Sequence, residues 1–314
     1  MMRARPGFAP LAQVMALLVL LLPHAGEAQG FAATVMRADT EDSSGHHAAA
    51  ATLYEQAYAM SGFDPSGLAL AAESYAAAGN TAAAFRDLGR AIDQGFLHLQ
   101  VFGDTAFNHV TGDPQFKALR ARMQRKIAAL DASLRTELIG IAARDQQNRA
   151  TLNQVMTKYG AKSPQGDSAF RALDAADFPL QQRVKAIIAE KGWPGRSLVA
   201  DDGAHAAWLV VQHMNAADQA ALLPKLKAAV KAGEAQAGDG ALLEDRVLVA
   251  QHQPQRYGTQ LKYSPNGGPP TLDPIADEAC VDTRRRSVGL EPLESYLKGF
   301  GVVWHAKGTC RAPS

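Results

Sequence analysis

The sequence has little of several features that identify common classes of protein. Its 314 residues include only two cysteines, 7% aromatic residues, and nearly equal numbers of basic and acidic residues, 32 and 31. Balanced charge argues against a general surface for nucleic acid or anionic membranes, so no nucleic-acid partner is expected. The sequence also lacks G-x-S-x-G, H-E-x-x-H, phosphate-loop and C-x-x-C motifs, and no cofactor or metal is expected from it.

Long hydrophobic runs are missing too, except near the N-terminus, where Val14–Leu22 is continuously apolar. Arg3 and Arg5 precede this run, and small residues lead to a predicted cleavage point before Gln29. The pattern is typical of a cleavable secretory signal peptide over residues 1–28. Because a membrane-spanning helix needs about 20 apolar residues, we expect an exported protein, periplasmic or secreted, without a stable membrane anchor.

The two cysteines, Cys280 and Cys310, lie close to the C-terminus. Export would place them in a compartment where disulfides form, and a bridge would tie the tail, residues 301–314, to the body of the protein. Two free thiols or a metal pair are the alternatives, but no histidine or further cysteine provides the usual zinc-ligand spacing. The sequence therefore favours a disulfide.

What the chain does contain is helical patterning. Alanine is abundant, and it favours packed helices because it loses no side-chain entropy in a helix. Residues 29–48 are small, polar and aperiodic, and they are predicted to be a flexible linker. Within residues 49–128, two helical segments, Ser66–Ala78 and Thr81–Gln94, are joined by the turn residues Gly79–Asn80.

These two segments match a tetratricopeptide repeat at four positions, Tyr75, Ala84, Leu88 and Ala91. Only one clear repeat is present, and one repeat cannot bury its apolar face alone. The tetratricopeptide-like unit, residues 49–128, should therefore pack on its flanks or on the domain that follows. It would also offer a surface for a protein partner.

The second half of the chain is predicted to be a helical domain with a small β element. Apolar periodicity and turn residues indicate helices over Leu134–Tyr159, Leu180–Lys191, Ala204–Met214, Asp218–Lys231, Ala241–Ala250, Asp277–Val288 and Pro292–Lys298, with a polar loop at residues 160–176. The β element is a hairpin, Gln255–Tyr263 and Thr271–Ile275, joined by a turn at Asn266–Gly268. The fold class is thus mainly α: a tetratricopeptide-like helical hairpin unit followed by a helical domain, residues 132–300.

This domain carries a series of polar motifs in a fixed order. They are GWPG, AAWLVVQH, LLEDR, Q-x-YGTQ, PIAD, VDTRR and VGLEPLESY, preceded by a D-Q-x-x-R motif at Asp145, Gln146 and Arg149. The series resembles a bacterial family, domain of unknown function 6624, over residues 132–300. One departure is Met214-Asn215, where the family tends to have Ala-Asp. The resemblance implies domain boundaries and candidate positions, and it implies no reaction.

The motif residues have the composition of a polar pocket for a small polar or anionic ligand. The candidate binding residues are Gln212, Arg246, Gln255, Tyr257, Gln260, Asp277, Arg284 and Arg285, and the candidate catalytic residues are His213 and Asp245. His213 would act as a general base oriented by Asp245, and an arginine would bind a carboxylate or phosphate. The alternative is structural: a hydrogen-bonded core histidine, a buried ion-pair network and a solvated arginine-rich helix.

Two function classes follow from these features. The first is an exported interaction module that binds a protein partner through the helical unit, and it requires the fewest assumptions. The second is an enzyme, such as a hydrolase, or a small-molecule receptor that uses the polar pocket. A flat apolar groove on residues 49–128 would favour the first class, and polar side chains that converge in a cleft would favour the second.

Overall fold

The computed structural model describes residues 25–60, 64–160, 162–263 and 270–305 together with Gly308 and Cys310. Most of the predicted signal segment and the predicted turn Asn266–Gly268 lie outside the described residues. The described chain is mainly α-helical, as predicted. The first helices are α1 (Ala25–Ser43), α2 (His47–Met60), α3 (Ser66–Ala77), α4 (Thr81–Asp93) and α5 (Pro114–Ala129), with short 3-10 turns at Leu99–Gly103 and Thr105–Val110 between the last two.

The remaining helices build the second half of the molecule. They are α6 (Ala132–Tyr159), α7 (Pro164–Lys191), α8 (Arg196–Val211), α9 (Ala216–Lys231), α10 (Ala237–Ala250), α11 (Val281–Ser287) and α12 (Leu293–Lys298), with a 3-10 turn at Glu278–Cys280. Several helices begin at a polar residue whose side chain accepts a hydrogen bond from the first turn: Asn80, Asp113, Asp131, Ser163 and Asn215. These caps satisfy backbone donors that have no partner inside the helix.

Two segments that lack apolar periodicity are helical, and both predictions of irregular structure there are wrong. The predicted flexible linker, residues 29–48, falls largely within α1, which packs on α2 and buries Ala38 completely. The predicted loop, residues 160–176, is the first half of α7, which begins at Pro164 after the cap Ser163. Among residues 33–48 and 162–176, most face solvent, so a helix forms there without the apolar stripe that would reveal it.

The two halves have separate cores that touch at their boundary. Helices α1 to α4 each pack on the next, and the predicted helix pair of residues 66–94 is present. The first core contains Leu68, Leu88, Ile92, Phe107, Phe116 and Met123, and the second contains Leu138, Val184, Ile187, Val210, Leu226 and Leu243. Ala200, from the start of α8, belongs to the first core. The assignment of the helix pair to the tetratricopeptide class stays a prediction.

The predicted hairpin is present and short. Strands β1 (Leu261–Lys262) and β2 (Thr271–Leu272) are antiparallel, and an isolated bridge joins Gln255 to Ile275. Pro270 and Pro274 flank the second strand and cannot donate to a ladder, which limits its length. In the described part of the chain, no helix is long and apolar enough to cross a membrane.

The disulfide Cys280–Cys310 is present, with its Cα atoms 4.6 Å apart. The two cysteines are separated by 30 residues, and in the chain-entropy model a loop of this length contributes about 3–4 kcal/mol. We expect reduction with dithiothreitol to lower the free energy of unfolding by roughly this amount, measured by urea denaturation. The double variant Cys280→Ser/Cys310→Ser should not respond to dithiothreitol. Two free thiols in non-reducing mass spectrometry of the wild type would contradict the bridge.

Candidate functional site

A buried arginine joins three helices at the centre of the second half. Arg149 Nη2 donates to Asp145 Oδ1 at 3.0 Å, one turn earlier on α6, and to Asp177 Oδ2 at 2.7 Å on α7. Both carboxylates are almost fully buried, with side chains 0% and 7% exposed. Asn148 and Gln146 donate to the same two carboxylates. The arrangement is a satisfied buried ion-pair network.

His213 completes this network at the end of α8. Its Nδ1 lies 2.7 Å from Arg149 Nε and 2.9 Å from Asp145 Oδ2, and Gln181 of α7 donates to its backbone carbonyl. An arginine nitrogen can only donate, so Nδ1 accepts from Arg149 in the tautomer whose proton is on Nε2. Protonation of Nδ1 would replace this bond with one to Asp145.

The environment of His213 favours its neutral form. Burial lowers the pKa of His213 below its ordinary value; hydrogen bonding and charge from Asp145 oppose this effect, and the positive charges of Arg149 and Arg246 add to it. At neutral pH the ring is therefore uncharged.

Arg246 lies beside this network without a carboxylate of its own. It comes from α10, and its Nη2 reaches Gln212 Oε1 only at 3.5 Å. Burial lowers its pKa, and the charge of Arg149 lowers it further. Among the described residues no carboxylate is within ion-pair distance of Arg246, and both Arg246 Nε and Gln212 Nε2 are buried without a hydrogen-bond partner. Such groups cost roughly 1–3 kcal/mol each when left unsatisfied.

Asp245, the predicted partner of His213, has a different role. Its fully buried carboxylate accepts hydrogen bonds from the backbone of Arg256, Tyr257 and Thr259 and from the Thr259 hydroxyl. Burial raises its pKa, while these hydrogen bonds favour the charged form. Asp245 therefore holds the segment after α10 in place, and the carboxylate that contacts His213 is Asp145.

Other predicted site residues organise the same segment. The Gln255 side chain is fully buried, accepts from Gln260 N at 2.7 Å and donates to Gln260 O at 2.9 Å. Gly258 has a φ of +69°, and a Cβ there would come within 2.8 Å of Ile275. Tyr257 packs in the second core. This segment is thus built by side-chain bonds and close packing in place of a longer sheet.

The C-terminal arginines also bond to backbone. Arg284 donates to the carbonyls of Arg256, Ala276 and Asp277. Arg285 is fully buried, donates to Tyr257 O and Glu291 O, and lies over the Tyr296 ring at 4.9 Å. The Asp277 side chain is 62% exposed. These residues stabilise the C-terminal segment and do not converge on His213.

The structure thus divides the predicted site. It brings together Gln212, His213 and Arg246, and it places Asp245, Gln255, Tyr257, Gln260, Asp277, Arg284 and Arg285 in the neighbouring scaffold. The sequence motif Asp145/Arg149 marked two residues of the site without indicating their partner. Asp177 was missed, because it follows a segment predicted to be a loop and has no motif of its own.

Comparison with known families identifies the second half of the chain. A model of a family of unknown function, DUF6624, matches residues 132–307, and the chain belongs to that family. The match covers the whole of α6 to α12, including both the arginine network and the C-terminal scaffold. None of the curated proteins and none of the solved structures matches the chain.

Removal of Arg149 should be strongly destabilising. Arg149→Met would leave Asp145 and Asp177 buried without a counter-charge, and the loss of one partner from a buried pair costs about 3–5 kcal/mol. Urea denaturation at neutral pH measures the loss. Arg183→Met is the matched control, since Arg183 pairs with Glu137 at the surface, and it should stay close to wild type. Equal stabilities of the two variants would contradict the role of the network.

His213 should make stability depend on pH. Since its folded pKa is lowered, the unfolded chain binds a proton first as pH falls below about 6.5, and stability is lost progressively from there down through the folded pKa. His213→Asn keeps an acceptor for Arg149 and does not titrate. We expect the free energy of unfolding of the wild type to decrease more than that of the variant between about pH 7.5 and 5. His98 and His205 titrate in both proteins, so parallel curves would contradict this assignment.

Proposed function

We propose that the family domain is a receptor for a small anionic molecule, bound through a carboxylate or phosphate group by Arg246, Gln212 and His213. The observation that carries the proposal is the buried Nε of Arg246, which has no partner, beside the equally unpaired Nε2 of Gln212. Buried polar groups in native proteins are almost always hydrogen-bonded. Two unsatisfied donors at one place therefore favour a ligand that supplies the acceptors.

The charges around the site support an anion over a cation. Arg149 already bonds to Asp145 and Asp177, so both nearby carboxylates are used. Arg246 adds a further positive charge that burial has made costly. A carboxylate or phosphate would offset this cost, because the planar guanidinium binds such groups through two parallel hydrogen bonds.

The hydrogen-bond state of His213 favours binding over hydrolysis. A general base needs an unprotonated nitrogen directed at the substrate. Here Nδ1 is already engaged by Arg149 and Asp145, so this nitrogen is not directed at a substrate. In the proposed complex, His213 Nε2 carries the ring proton and is a third donor to the anion, next to Arg246 and Gln212.

The helical unit gives weaker support to the interaction-module hypothesis. Its large apolar side chains are packed in its own core, and among its described residues only Leu99, at 36%, is an exposed large hydrophobic residue. A flat apolar groove is therefore not seen there. Binding of a protein partner to residues 49–128 stays a prediction. Export also stays a prediction, with which the disulfide is compatible.

Arg246→Met tests the receptor hypothesis through two effects of opposite sign, one on ligand binding and one on the stability of the free protein. It should abolish the thermal stabilisation that phosphate, sulfate or succinate gives the wild type, since a hydrogen bond to a charged group is worth about 1.5–3 kcal/mol. Without ligand, the same variant should be as stable as the wild type or more stable, because it removes a buried unpaired charge.

The control variant is Arg125→Met, since Arg125 is exposed on α5 and far from the site in sequence. It should keep the anion response. Neutral succinamide should not stabilise any of the proteins. If no anion shifts the melting temperature of the wild type, or if Arg246→Met is markedly destabilised without ligand, the proposal is wrong.

A further inference from the structure

A cavity of about 630 Å³ lies between the helical unit and the family domain. The helical unit contributes the loop after α4 and the end of α5, and the family domain contributes the start of α8 and the loop between α9 and α10. Its volume is in the range of small-molecule sites, which often occur between domains. Ser197 of the cavity lies near the start of α8 and His213 lies just beyond its end, so this is a second place in the molecule.

Two opposite charges face the cavity from different units. Lys126 comes from α5, and Glu234 comes from the loop before α10. Burial lowers the pKa of Lys126, the charge of Arg122 lowers it further, and Glu234 opposes both. Among the described residues Lys126 has no ion pair, and its Nζ reaches only the carbonyl of Asp93, at 3.4 Å.

The position of Glu234 is determined by its neighbours. Its Oε2 accepts from the backbone N of Ser197 at 2.8 Å. A Cβ on Gly195 would come within 2.4 Å of that oxygen, so glycine is needed for the carboxylate to sit there. The other charged groups in the wall are already paired, Arg196 with Asp201 and Asp93 with Arg122. Lys126 and Glu234 are therefore the two charges with capacity for a ligand.

Part of the wall is aliphatic, with Leu97, Ala129, Leu130 and Ala235, and the polar residues Tyr58, Gln94, Ser197 and Gln236 also line it. The backbone next to the wall is strained: Ala200 has φ 60° and ψ 177° within α8, a region that is almost exclusive to glycine. Such strain costs about 1–3 kcal/mol and is concentrated at functional sites. Here the strained residue, Ala200, lies at the contact between the two units.

We infer that this cavity binds a small zwitterion of the amino-acid or short-peptide class. Lys126 would pair with its carboxylate, Glu234 with its ammonium group, and a small aliphatic body would contact the leucine and alanine side chains. A ligand bound in this way touches both units at once. It would therefore stabilise their packing as well as satisfy the two charges.

Alanine, L-alanyl-L-alanine and trialanine are the probes, measured by isothermal titration calorimetry on the full chain. At least one should bind, and its N-acetyl and C-terminal amide derivatives should bind at least about tenfold more weakly, since each loses one charged hydrogen-bonded contact. In Lys126→Met the C-terminal amide should bind as tightly as the unmodified probe. In Glu234→Gln the N-acetyl derivative should bind as tightly as the unmodified probe.

Three further variants locate the site. Ala129 lines the cavity, so Ala129→Trp should fill it and abolish binding. Because Ala129 is exposed, this substitution should not disturb the cores. Lys117→Met is the matched control on the exposed part of α5 and should bind like the wild type. Arg246→Met separates this site from the anion site and should keep the discrimination against the acetylated and amidated probes. The proposal is wrong if none of the three probes binds at about 10 mM, a concentration that would detect even weak sites, or if Ala129→Trp leaves binding unchanged.

Discussion

The geometry of the family domain depends on one guanidinium. Arg149 bonds to two carboxylates on neighbouring helices and to a histidine at the end of a third. These bonds fix the rotation of the His213 ring. They also use both nearby carboxylates, which leaves Arg246 as the uncompensated charge. The preference of the site for an anion is thus a consequence of how Arg149 is satisfied.

The density of polar residues after α10 has a structural origin. The sheet there has strands of only two residues, so most backbone groups of the segment need other partners. Asp245, Gln255, Arg284 and Arg285 provide them by bonding to backbone N–H and C=O groups. The many polar motif residues in this region therefore bond to backbone groups that the short sheet leaves unpaired. The residues with unsatisfied hydrogen-bond donors lie in the adjacent helices.

The family match begins at α6, yet the preceding helices are part of the same packed molecule. Ala200 of α8 enters the core of the helical unit, and α1 packs against α12 near the other end of the chain. Helix α1 and the helical unit thus each contact the family domain.

Local features of the fold could be derived from the sequence, because short-range chemistry decides them. Caps such as Asn80 and Asp113, the helix pair of residues 66–94, the hairpin and the cysteine bridge all follow from neighbouring residues or composition. Helix α1 and the first half of helix α7 could not be derived in this way, because helical segments that face solvent carry no apolar periodicity. The partner of His213 was decided by tertiary structure alone. Asp145 and Asp245 are equivalent as residue types, and only the packing of α6 against α8 brings one of them within 2.9 Å of the ring.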